Sequence, residues 1–113
     1  MMATLEELYD EADRLKDEGK LEEAIAKLHE LLEVDSEYSL AYSALAVACG
    51  RAGKHEDAIR HAQKVCELEQ NDPFSFTALS VTFQRAFAGT NNTQYIQMAE
   101  DAMARSRMLQ EGA

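Results

Sequence analysis

The sequence lacks the features that mark membrane-spanning and secreted proteins. It contains no tryptophan and one proline, and no apolar run approaches the roughly 20 residues of a membrane-spanning helix. Its first residues include neither the basic region nor the apolar segment of a secretory signal. The sequence therefore predicts a cytoplasmic protein that does not bind a membrane.

Cysteine and histidine are scarce, and their spacing is unlike that of metal ligands. Cys49 and Cys66 do not form a CxxC pair, and His29, His55 and His61 do not form an HExxH pattern. In a reducing compartment we expect both cysteines to be small buried hydrophobic residues rather than a disulfide or a metal pair. The sequence predicts no metal and no cofactor.

Positive charge is also in short supply, and the imbalance is concentrated at one end. The net charge is −10, yet residues 1–37 hold 13 acidic and 4 basic side chains, whereas residues 38–113 hold 8 and 7. This distribution argues against nucleic acid as a partner, because phosphates would be repelled. The acidic end is either a solvated outer face or a site for a basic partner.

Motifs for catalysis are missing. The acidic pair Glu6-Glu7 falls on a predicted helix surface, without a second group that would separate the two pKa values. The sequence has no GxSxG, no cysteine–histidine pair with an orienting group and no glycine-rich phosphate loop. We therefore expect a protein that is not an enzyme and that binds another protein.

The sequence does contain an internal repeat of 34 residues. GKLEEAI at residues 19–25 returns as GKHEDAI at residues 53–59. A third copy follows more loosely, with Phe76 at the position of Tyr42, and the register breaks within AFAGTNNTQY. A period of this length is typical of stacked helical repeats.

Apolar residues recur at intervals of three and four, which predicts helices. Thr4 and Glu7 form a capping box for the first helix, and Asp72-Pro73 is a typical start for the fifth. Residues 91–93 offer caps for the sixth. The predicted helices lie near 4–17, 21–33, 37–51, 55–68, 73–87 and 93–109. The fold class is therefore all-α, with six helices in three antiparallel pairs.

The repeat resembles the tetratricopeptide repeat family. The residues that carry the resemblance are Leu8, Ala12, Leu15, Gly19, Ala24, Leu28 and Leu31 in the first copy, Tyr42, Leu45, Ala46, Cys49, Gly53, Ala58, Ala62 and Val65 in the second, and Phe76, Leu79, Ser80 and Phe83 in the third. The resemblance implies a right-handed superhelix and one domain over residues 1–113. Its repeats would cover about 5–38, 39–72 and 73–109, with an inserted loop near 88–93.

In this family the first helix of each pair lines a concave groove that commonly holds a peptide or a partner helix. Helical spacing then selects the candidate partner-binding residues Tyr9, Asp13, Leu40, Ser43, Val47, Phe74, Thr77, Val81 and Gln84. The resemblance implies an adaptor or scaffold that binds a short apolar segment, with or without a basic residue near Glu6 and Asp13. Leu40 and Val47 are either exposed in this groove or part of the core.

The last predicted helix supports an alternative function. It carries Met98, Met103 and Met108, and the polar capping helix that often follows the last repeat of the family does not follow here. Methionine adapts to irregular partners. These side chains either pack on the fifth helix or form a surface through which a structural protein self-associates into a homo-oligomer.

Overall fold

A computed structural model of the protein describes residues 3–112, which form six α-helices and no strands. Residues 1, 2 and 113 of the predicted domain lie outside this range. The helices are α1 (Leu5–Asp17), α2 (Leu21–Val34), α3 (Ser39–Arg51), α4 (His55–Leu68), α5 (Pro73–Thr90) and α6 (Gln94–Glu111). The predicted all-α fold is confirmed, and each helix coincides with a predicted one.

The predicted start signals of α1 and α5 form the expected hydrogen bonds. Thr4 Oγ1 accepts from the Glu7 backbone N–H at 3.1 Å, and Glu7 Oε1 accepts from the Thr4 N–H at 3.0 Å. Asp72 Oδ1 accepts from the Phe74 N–H at 2.9 Å, with Pro73 as the first helical residue. Each cap satisfies backbone donors that have no partner within the helix.

Glycine ends α1 and α3 in the same way. The Gly19 N–H donates to the Lys16 carbonyl at 3.0 Å, and the Lys20 N–H donates to the Leu15 carbonyl at 2.9 Å. This is the Schellman pattern, which needs a left-handed residue, and Gly19 has φ +80°. Gly53 has φ +79° and is flanked by the matching bonds of 3.2 and 2.8 Å. The repeated glycine therefore sets the turn inside each pair.

The two copies of the repeated phrase also contact each other. Lys54 Nζ, in the second copy, donates to Glu22 Oε2 in the first at 2.9 Å. This ion pair raises the pKa of Lys54. Both side chains are largely exposed, so the pair contributes little to stability. It does connect the start of α2 to the turn before α4.

The helices form two layers. Connections of three residues inside each pair make the paired helices antiparallel, and four-residue links join one pair to the next. Among the described residues, α3 contacts both α1 and α5, whereas α2 and α4, and α4 and α6, have no Cα atoms within 8 Å of each other. Because the first helices approach more closely, they form the inner layer of a curved array and the second helices form the outer layer.

The core is continuous through the middle pair. One cluster of buried residues joins α1 and α2 to α3, where it includes Leu45 and Cys49. A second cluster joins α4 to α5 and α6, through Ile59, Phe83 and Ala99 among others. Both cysteines are free and buried, as predicted. Each pair therefore packs only against the pair or pairs next to it, as in other repeat arrays.

The third pair differs from the prediction at its turn. The loop expected near 88–93 is only the three residues 91–93, because α5 continues to Thr90. The additional residues lengthen α5 and α6 to 18 residues each, against 13 or 14 in the other helices. Asn91 ends α5 at φ 62°, in the left-handed role that glycine has in the other pairs.

The longer α5 lies close to the start of α4. The His55 imidazole occupies the space that a Cβ on Gly89 would need. Glycine at this position therefore allows the last turn of α5 to pass His55. Within residues 3–112, no helix has both the length and the hydropathy needed to cross a bilayer.

Candidate functional site

A cleft lies between the inner helices α3 and α5, and residues of α4 also line it. It encloses about 230 Å³. The residues that line it are Ser43, Ala46 and Val47 of α3, Ala62 and Val65 of α4, and Ser75, Ala78, Val81, Thr82 and Arg85 of α5. Small and β-branched side chains predominate, so the cleft has shallow apolar walls. We call it the α3–α5 cleft.

Two large apolar side chains stand out at the N-terminal end of this cleft. Leu40 and Phe74 are 55% and 73% exposed. They occupy the same place in successive repeats, in the first turns of α3 and α5, and these helices are in contact. Leu40 is therefore exposed rather than part of the core. Exposed apolar side chains beside an apolar cleft are typical of interaction surfaces.

Val47 and Val81 are half-buried, and their side chains line the cleft. Val47 lies seven residues, or about two helical turns, after Leu40, and Val81 lies seven residues after Phe74. Ser43 is exposed at the cleft wall. Five of the nine predicted partner-binding residues thus lie in or beside the α3–α5 cleft.

Tyr9 and Asp13 lie on α1, away from this cleft. The ring of Tyr9 packs against that of Tyr38, with centroids 6.3 Å apart, at the edge of the first core cluster. Burial raises the pKa of the Tyr9 hydroxyl, and the Asp13 carboxylate adds to this effect. Asp13 Oδ1 pairs with Lys16 Nζ at 3.0 Å. These two residues form a separate, acidic part of the inner layer.

Thr77 and Gln84 face α6. The hydroxyls of Thr77 and Ser106 are 2.8 Å apart, and Gln84 Nε2 donates to Ser80 Oγ at 3.2 Å. Ser80 Oγ in turn donates to the Ala99 carbonyl at 2.7 Å. This polar network joins α5 to α6 on the side opposite the α3–α5 cleft.

Arg85 is a residue of the cleft that sequence reasoning missed. Its side chain is exposed at the cleft wall, four residues after Val81. Helical spacing selected Phe74, Thr77, Val81 and Gln84 on α5, and Arg85, one residue further along, was left out. Arg85 gives the cleft a cation, and a cation favours an acidic group on whatever binds there.

The three methionines of α6 do not share one surface. They are five residues apart, and at about 100° per residue each lies about 140° around the helix from the next. Met103 lines a second cavity, of about 490 Å³, between α5 and α6. Met98 and Met108 are exposed on other faces. The second cavity also has Phe87, Ile96, Glu100 and Arg107 in its wall, and none of these was selected from the sequence.

Outside these cavities, His61 is half-buried and Cys49 and Cys66 are buried, and all three pack against neighbouring side chains. His61 lies against the rings of His29 and Tyr42, at centroid distances of 5.8 and 6.1 Å. Burial lowers the pKa of His61, with smaller contributions from His29 and Arg60. Burial raises the pKa of both thiols. No cluster of three or more histidine, cysteine or acidic residues within 3–112 could hold a metal ion.

No protein-family model matches the chain, and no curated protein matches it.

Proposed function

We propose that the protein is a non-catalytic adaptor that holds a short apolar segment of another protein in the α3–α5 cleft. The observation that carries this proposal is the exposure of Leu40 and Phe74 at equivalent positions beside an apolar cleft. Side chains of this size are normally buried, and two of them on adjacent inner helices offer anchors to a partner. A cytoplasmic location is part of the same proposal.

The charges around the cleft define the partner further. Arg85 at the cleft wall favours an acidic group on the bound segment. The α1 end of the inner layer carries Glu6 and Asp13, and residues 1–37 hold most of the net negative charge. A segment with apolar anchors over the cleft, and with a basic residue directed towards α1, would complement both regions.

The repeat geometry supports membership of the tetratricopeptide repeat family. A 13-residue helix, a three-residue turn, a 14-residue helix and a four-residue link account for the 34-residue period in the first two copies. The glycine turns at Gly19 and Gly53 have the same conformation. Inner first helices are the part of such arrays that is expected to meet a ligand.

The test is peptide selection followed by binding to matched variants. Peptides selected from a displayed library against the wild-type protein are titrated into Leu40→Ser, Phe74→Ser and Val34→Ser. Val34 is the control, because it is 64% exposed on α2, outside the cleft. We expect Phe74→Ser and Leu40→Ser each to weaken binding by about tenfold or more, as loss of an interface anchor does. Val34→Ser should bind like the wild type.

All three substitutions replace exposed side chains, so the helical content and the melting temperature should stay close to those of the wild type. Two results would refute the proposed function. One is a set of selected peptides that bind Phe74→Ser and Leu40→Ser as well as the wild type. The other is a loss of binding in Val34→Ser equal to that in the cleft variants.

A further inference from the structure

The cavity between α5 and α6 lies on the third pair of helices. On the second pair, α5 packs against both α3 and α4. Ser80 and Gln84 of α5 match Ala46 and Gly50 of α3 at the 34-residue offset. Ala46 is buried in the core cluster that includes α5, and Ser80 is also buried, whereas Gln84 is exposed at the wall of a cavity of about 490 Å³. Ile96, in the wall of this cavity, is 43% exposed. Among residues 3–112, no helix covers this face of α5 and α6.

The exposed face of α6 is self-complementary. Glu100 and Arg107 flank Met103 on the side of the helix that lines the cavity. Neither takes part in the ion pairs formed among residues 3–112. If a second α6 runs antiparallel, with a two-fold axis close to Met103, Glu100 of each copy lies opposite Arg107 of the other. The pairing occurs twice, as two-fold symmetry requires.

We propose that a second copy of the chain covers this face, so that the protein forms a dimer through antiparallel α6 helices. Met103 and Ile96 supply the apolar centre, and the two Glu100–Arg107 pairs fix the direction and register. The site is separate from the α3–α5 cleft, so this proposal does not depend on the proposed function.

The charge distribution of the molecule is compatible with a dimer at this end. Residues 73–112 contain three acidic side chains (Glu100, Asp101, Glu111) and three basic ones (Arg85, Arg105, Arg107), so the third pair is neutral. Most of the net charge lies in residues 1–37, in the pair at the opposite end of the array. Contact through α6 therefore keeps the two acidic ends apart and avoids their mutual repulsion.

Head-to-tail stacking of copies is disfavoured by the opposite end of the array. The cavity between α1 and α2 is lined mainly by charged side chains, including Glu11, Arg14, Glu23 and Lys27. Several of these form ion pairs in the monomer, such as Lys27 with Glu11 at 3.6 Å. Covering them with Ile96 and Met103 of the α5–α6 face would remove these charges from water. A closed dimer is therefore favoured over a filament.

Charge reversal in trans tests the proposal. Sedimentation equilibrium over a concentration series measures the dimer dissociation constant of the wild type, of Glu100→Arg, of Arg107→Glu, of the double variant and of a control, Glu56→Arg on α4. Each single reversal places like charges opposite each other, and we expect it to weaken the dimer by about tenfold or more. The double variant and the control should dimerise like the wild type.

The decisive sample is an equimolar mixture of the two single variants. Glu100→Arg has arginine at both positions of the contact, and Arg107→Glu has glutamate at both. Each contact of a mixed dimer therefore joins opposite charges, so the mixture should dimerise more tightly than either variant alone.

Circular dichroism checks that every variant is folded, and surface charge changes on α6 should leave the helical signal unchanged. A wild type that is monomeric at all concentrations overturns the proposal. So does a dimer that neither single reversal weakens, because the contact then lies elsewhere. Failure of both the mixture and the double variant to recover dimerisation overturns the antiparallel arrangement.

Discussion

Gly19, Gly50 and Gly53 show how differently one residue type acts at three positions. Gly19 and Gly53 have φ near +80°, a conformation that side chains with a Cβ rarely adopt. A Cβ at either position would meet no heavy atom within 4 Å, so only the backbone demands glycine there. Gly50 lies inside α3, where a Cβ would make an ordinary contact of 4.0 Å with Ala58. The effect of alanine should therefore have opposite signs.

We predict that Gly19→Ala and Gly53→Ala each lower the free energy of unfolding by about 1 kcal/mol, because alanine is strained at positive φ. Gly50→Ala should raise it by about 0.5 to 1 kcal/mol through helix propensity. Urea unfolding followed by circular dichroism measures all three. Equal effects at Gly50 and Gly53 would contradict this account of the turns.

His61 gives the fold a dependence on pH. Its pKa in the folded protein is lowered from the ordinary value of 6.5, mainly because the ring is partly buried. As the pH falls below 6.5, the unfolded chain binds a proton at this site before the folded protein does. Stability is therefore lost on acidification until the pH passes the folded pKa, and one site changes it by at most about 1.4 kcal/mol per pH unit.

We predict that the wild type unfolds at a lower urea concentration at about pH 5.5 than at about pH 7.5, and that His61→Gln reduces this difference. The carboxyls of Glu7 and Glu18 have pKa values below the ordinary 4.5, so they do not titrate in this window. An unchanged pH dependence in His61→Gln would show that the lowered pKa of His61 is not its source.

At the scale of the helices, the structure depends on close packing within each pair. Ala24 in α2 is fully buried, in contrast to Ala26, which is exposed on the same helix. Ala12 of α1 is also buried, in the cluster that joins α1 and α2 to α3. Small residues at these positions leave little room for a larger side chain.

We predict that Ala24→Leu lowers the free energy of unfolding by about 1 to 3 kcal/mol, as overpacking of a core does. Ala26→Leu is the matched control on the exposed side of α2 and should change stability by less than about 0.5 kcal/mol. Thermal unfolding of the two variants side by side makes the comparison. A tolerated Ala24→Leu would mean that the pair can separate without loss.

Helix positions could be predicted because their signals are local. Capping by Thr4 and Asp72, and the glycine turns, depend on residues that are neighbours in sequence. The end of α5 was placed too early because AFAGT contains a glycine and precedes two asparagines. Gly89 lies inside α5, and a Cβ at this position would clash with the imidazole of His55, which is 34 residues earlier in the chain. Such a contact cannot be read from local sequence.

At the scale of the whole molecule, the predicted site divides into three parts. Helical spacing selected residues at equivalent positions on the inner helices. This selection assumes that the same face of each first helix points into the groove. The contacts of α5 with α6 turn Thr77 and Gln84 away from the α3–α5 cleft, and the packing of Tyr9 on Tyr38 ties that residue to the first core cluster. These differences arise from tertiary neighbours, which are not the same for the three copies.

The molecule has extents of 46 × 34 × 19 Å, so its stacked pairs present broad faces. Within the part of the chain that the structure describes, the α3–α5 cleft and the α5–α6 cavity are apolar surfaces that no other element covers. We assign the first to a partner segment and the second to another copy of the chain. The remaining exposed apolar residues, such as Val34 and Met108, are outside both surfaces. The two assignments can therefore be tested independently.

The most direct test of the central claim is an NMR titration of the ¹⁵N-labelled protein with a peptide selected against it. We predict that the amide resonances of α3 and α5 around Leu40, Val47, Phe74 and Val81 shift on binding, and that Phe74→Ser abolishes these shifts at the same peptide concentration. Shifts confined to α2, on the outer layer and outside the cleft, or unchanged shifts in Phe74→Ser, would contradict the assignment of the α3–α5 cleft as the binding site.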